Sequence, residues 1–120
     1  MYISPYEFNQ LLRLAYRQLP RSVKLAFRNV HVALEEWPNR EDLGSQGEGT
    51  LFGLYIGTPL SERESGSPTC PDRIIIYRQP ILRCCATRAE AMREIKATLW
   101  HEVGHYLGLS EEKLHQIGYG

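Results

Sequence analysis

Two histidines four residues apart, His101 and His105, with Glu102 directly after the first, stand out as a set suited to hold a metal ion and use it. Imidazole nitrogen is a preferred zinc ligand, and residues i and i+4 of a helix project side by side, so both rings can share one ion. Glu102 then lies beside the ion instead of on it. From there its carboxylate can take a proton from a water that the metal has made acidic, which is the general-base position. The chemistry such a trio supports is metal-assisted hydrolysis of an amide bond. In a chain with four histidines, the pattern H-E-x-x-H arises by chance on the order of one percent of the time. Without a metal, the same histidines would be hydrogen-bonded groups on a half-buried face.

The pattern has to sit on a helix, and the preceding residues supply one. Thr87-Arg88-Ala89-Glu90 forms a capping box, and the helix it opens is expected to run to about Leu107, with Gly108 ending it. Met92, Ile95, Leu99 and Val103 make a core-facing stripe. Glu94, Thr98, His101 and His105 make a second stripe at the same spacing. Glu94 and Thr98 are candidates for orienting an imidazole, although Glu94 is nearly two turns away. Ser110 caps a short last helix, SEEKLHQIG.

Upstream, Ser4-Pro5-Tyr6-Glu7 is a capping box with proline at the first helical position, and Phe8, Leu11, Leu12, Ala15 and Leu19 follow helical spacing. A helix over about 5–18 is expected, stopped by Pro20, which opens a short second helix through Phe27. Val30, Val32 and Leu34 alternate with His31, Ala33 and Glu35 as in a half-buried strand ending near Trp37-Pro38. LFGLYIG (51–57) suits a second strand. RIIIYR (73–78), ended by Pro80, reads as a central strand covered on both faces. The polar, glycine-rich stretch 39–50 and the turn-forming stretch 58–72 are expected to be loops.

Composition narrows the function classes. The chain has 120 residues, enough for one domain spanning 1–120 with a modest core. Fourteen basic and fourteen acidic residues cancel, so no summed field would gather nucleic acid or an anionic membrane. No stretch approaches the length needed to cross a bilayer, and MYISPYEFNQLLRL lacks a secretory pattern, so a cytoplasmic location is expected. Cys70, Cys84 and Cys85 are expected to be reduced, small buried residues. With His31 they lack the C-x2-C element of a structural zinc site, and His31 alone reads as a rim residue. GSQGEG lacks the lysine and hydroxyl residue of a phosphate loop. Neither composition nor motif speaks to the oligomeric state.

HEVGHYLGLSEE resembles the H-E-x-x-H-x-x-G-x-x-(D/E) signature of the minimal bacterial zincin-like metallopeptidases. The order of N-terminal helices, VHVALEE, GLYIGTPL, RIIIYRQPIL and the histidine helix is similar to that family over nearly the whole chain. The resemblance implies an α+β, minimal zincin-like fold, with a small mixed sheet of three to four strands packed against the histidine helix. It also implies one zinc ion and hydrolysis of a peptide or protein substrate, held as an extended strand at the sheet edge, with LFGLYIG or RIIIYR supplying that edge. The alternative is a non-catalytic zincin-like domain that binds a peptide or protein partner.

Gly108 can turn the chain back toward the ion. In the related metzincin pattern the third ligand lies ten residues after the first histidine, which here is Glu111, and an acid there also matches the minimal family. His115, four residues beyond Glu111, shares its helix face and is the rival third ligand. Either could bind while the other supports it; Glu112 points elsewhere and is expected to be solvated. Tyr106 and Tyr119 are candidates by type to stabilise an oxyanion, though a tyrosine near a core more often packs with its hydroxyl bonded.

Overall fold

The computed structural model describes residues 2–26, 30–39, 52–57, 72–108, 110 and 112. Helix α1, Pro5–Arg17, starts where expected: the Glu7 amide donates to Ser4 Oγ at 3.1 Å, and Pro5 occupies the first turn. Phe8, Leu12 and Ala15 are its buried face. Pro20 separates it from a short helix, α2, Arg21–Ala26.

Among the described residues three strands follow: β1 (Val30–Glu35), β2 (Gly53–Ile56) and β3 (Asp72–Tyr77). They form one mixed sheet in the order β1-β3-β2, with β1 parallel and β2 antiparallel to β3. The isoleucine run is therefore central, as its continuous apolar character predicts. Ile74 and Ile76 join the helix-side core, whereas Ile75 and Tyr77 cluster with Leu54 on the opposite face. Burying each isoleucine contributes about 1.5–3 kcal/mol, which makes this strand a main anchor of the domain.

The strand does not wait for Pro80 to end. It stops at Tyr77, and Arg78–Arg83 form a further helix, α3, with Pro80 inside its first turn. Proline is tolerated there because first-turn amides have no intrahelical acceptor to lose. The Arg78 guanidinium fixes this junction. Its Nε and Nη2 donate to the Ile3 carbonyl at 3.0 and 2.7 Å, and its Nη1 pairs with Glu36. A buried arginine thereby ties the residues before α1 to the end of the central strand.

The long helix α4, Arg88–Tyr106, packs on α1 and on β2 and β3. Ile95, Leu99 and Val103 are buried and Met92 partly so, matching the expected core stripe. Cysteine behaviour differs from expectation at one position. Cys85 is buried, but Cys84 is exposed, because adjacent residues after a helix point to different sides; both thiols are free. Cys70 and nearly all of 39–50 and 58–72 lie outside the described residues. His31 is exposed, as expected of a rim residue. Among the described residues, no helix is long and apolar enough to cross a membrane.

Candidate metal centre

Helix α4 begins at the expected box: Thr87 Oγ1 accepts from the Glu90 amide at 3.1 Å, and Glu90 Oε2 accepts from the Ala86 amide at 3.0 Å. It ends at Tyr106, with Leu107 as its cap and Gly108 at φ +85°. That left-handed conformation is available to glycine without a Cβ penalty and redirects the chain just past the second histidine.

The last two turns of α4 carry the histidine pair. Nε2 of His105 lies 3.0 Å from Nε2 of His101, with the rings 4.7 Å apart at their centroids and inclined at 77°. Two nitrogens on a tetrahedral zinc, each about 2.0–2.1 Å from it, stand about 3.3 Å apart. Seating an ion between these rings thus requires them to part by only a few tenths of an ångström. Both Nε2 lone pairs must then face the ion, which leaves each Nδ1 to carry the ring proton.

Glu102 is fully buried and His105 is 3% exposed, while His101 is half-buried and opens the group toward solvent. One ligand atom from each of the three lies within 4.8 Å of the others. His101, Glu102 and His105 therefore form a group that could hold a metal ion. The two imidazoles are donors that zinc accepts, and the Glu102 carboxylate stands next to them. Sequence spacing places the three on one helix, and tertiary packing, with Gly53 of β2 close to Glu102, buries Glu102 and His105.

The remaining expected residues divide clearly. Glu111, His115 and Tyr119 lie outside the described residues. Glu112 is helical and exposed, in keeping with a solvated acid. Tyr106 is buried with its ring edge-on to Tyr55 at 6.0 Å, the packing role weighed for it. Glu94 is half-buried, and Thr98 is buried against β2.

The sequence reading passed over Gly53. Its backbone lies against α4 at Thr98 and Glu102, closely enough that a Cβ would collide with the threonine methyl. The signal was present, because a glycine inside a strand often marks a close approach of backbone to a neighbour.

Residues 27–120 match the family described as zincin-like metallopeptidase. The fold is similar to that of a conserved hypothetical protein from T. thermophilus, with a TM-score of 0.57 and 22% identity. That match covers 88% of this chain and 94% of the other, and at such identity it is a likeness of fold. No curated protein matches the chain significantly.

Proposed function

The chain belongs to the zincin-like metallopeptidase family, and from that premise we propose that it is a zinc-dependent peptidase using His101 and His105 as ligands and Glu102 as general base. The observation that carries this reading is the 3.0 Å approach of the two Nε2 atoms beside a carboxylate withdrawn fully from solvent. Glu111 is the third ligand in this proposal, with His115 as its rival; both follow Gly108, whose positive φ turns the chain after the histidine helix.

When bound, a zinc ion supplies Lewis acidity, which makes water acidic near neutral pH and polarises a carbonyl oxygen. The chain's own residues do the rest. His101 and His105 present Nε2 lone pairs along one side of α4. Glu102, one residue after the first ligand, takes the proton from the attacking water and passes it to the departing amine. Its burial keeps competing solvent from the carboxylate, so the proton it holds is delivered to the substrate.

Substrate binding follows from the sheet order. Among the described residues β2 ends the sheet and packs against α4, whereas β3 has a strand on each side. Of the two segments weighed as the substrate edge, β2 is therefore the one we assign. The substrate is proposed to lie extended along this side of the sheet, near the histidine helix.

The test pairs metal analysis with cleavage of a peptide library by zinc-loaded wild-type protein and Glu102→Gln. The glutamine variant is expected to keep its metal and to lose cleavage by about 10²–10⁴-fold. A wild type that holds zinc but cuts no peptide sinks the peptidase reading and favours a peptide-binding domain.

A further inference from the structure

Strand β2 reaches α4 through a residue that has no side chain. A Cβ at Gly53 would stand 2.7 Å from Thr98 Cγ2, 3.3 Å from the Ile75 carbonyl oxygen and 3.4 Å from Glu102 Cγ. Carbon atoms attract best at about 3.5–4.0 Å, so the first contact is a collision. The surroundings offer little relief. Thr98 is buried and, being β-branched, is stiff at χ1 within a helix. The Ile75 carbonyl is backbone of the central strand.

Strand β2 is also held on both sides of Gly53. Just before it, the Phe52 carbonyl accepts from the Tyr77 amide at 2.9 Å. Just after it, Leu54 pairs with Ile75, and Tyr55 meets Tyr106 of α4 edge-on. The strand cannot swing outward to admit a methyl group without breaking these contacts.

We infer that Gly53 and Thr98 form the seat that holds Glu102 beside the histidine pair. Gly53 is a positioning residue: the space where its Cβ would stand is 2.7 Å from Thr98 Cγ2 and 3.4 Å from Glu102 Cγ, so β2 and α4 come this close at the turn that carries Glu102 because that space is empty. A side chain at position 53 drives β2 and α4 apart at the turn that carries Glu102. This inference rests on the reading of Glu102 as the general base, but the seat itself is a matter of geometry and can be tested separately.

The experiment compares wild type, Gly53→Ala and Gly53→Ala/Thr98→Ser, the last of which removes the obstructing methyl and keeps the hydroxyl. Gly53→Ala is expected to retain wild-type zinc content, because the obstructed atoms belong to Thr98, Ile75 and Glu102 and not to the histidines. Its kcat is expected to fall about 10- to 100-fold, as for a misplacement of about 1 Å, with KM little changed. The double variant is expected to recover most of the loss. Unchanged kcat in Gly53→Ala, or no recovery in the double variant, overturns the inference.

If the wild type cleaves no peptide, the peptidase reading fails alone, and crystal structures decide the seat. The expected shift between β2 and the Thr98–Glu102 turn in Gly53→Ala is at least 0.7 Å, the difference between 2.7 Å and the 3.4 Å at which ordinary contact begins. Glu102 left in place by the alanine overturns the seat. Should Gly53→Ala not fold, a folded double variant with Glu102 at its wild-type position supports it, and one with Glu102 displaced overturns it.

Discussion

His105 Nε2 and His101 Nε2 face each other at 3.0 Å across one turn of α4, near the separation that two ligands of a single zinc ion adopt. A cation that binds this folded arrangement, and has no comparable site in the unfolded chain, must stabilise the fold by mass action. Zinc at 100 times its dissociation constant is expected to add about 2.7 kcal/mol, seen as a rise in the melting temperature. His101→Ala/His105→Ala should abolish the rise. An equal rise in the double variant would place the metal elsewhere.

The third ligand can be assigned by titration. Glu111→Ala should weaken zinc binding more than His115→Ala, because loss of a direct ligand exceeds the roughly 10- to 100-fold cost of losing a supporting group. Competition with a zinc chelator measures both variants. The reverse order would make His115 the ligand.

Arg78 should prove a keystone of the fold and not of the site. Removing its side chain leaves the Ile3 carbonyl without its two guanidinium donors and Glu36 without its cation. Arg78→Ala is expected to lower stability by about 1–3 kcal/mol in urea unfolding, from the buried acceptor alone. Arg78→Lys should recover only part, since an ammonium cannot reproduce the planar fork. Zinc content should stay at the wild-type level in both.

The adjacent cysteines should react at different rates. Burial foremost, then the carboxylates of Glu94 and Glu90, push the Cys85 thiol above its ordinary value of 9.0. Cys84 is exposed. Iodoacetamide at pH 8 should therefore modify Cys84 first, since the thiolate is the reactive form; peptide mapping of Cys84→Ser and Cys85→Ser separates the two. Equal rates at the two sites would contradict the burial of Cys85. The raised value also carries a stability term that is fully present below pH 9 and is lost as pH rises through the folded-state value. Cys85→Ala should remove that alkaline component of unfolding.

Much of the site was legible in the chain because its determinants are local. The Thr87 box, the glycine at 108 and the i, i+4 spacing of His101 and His105 act within a few residues of one helix, where backbone geometry alone decides which side chains share a face. The helix α3 was not legible in the same way. Pro80 stops a strand or starts a helix with equal ease, and the choice here goes with Arg78, whose partners Ile3 and Glu36 lie far away in the sequence.

By itself, then, the sequence determined that two imidazoles and a carboxylate ride together on a capped helix, since helical periodicity is a property of neighbouring residues. Only the tertiary structure decided that Glu102 is fully buried. The same holds for Gly53, where a Cβ would collide with Thr98 of α4. Burial of this kind comes from contacts between segments that are distant in the chain, and no local pattern encodes which of them will meet.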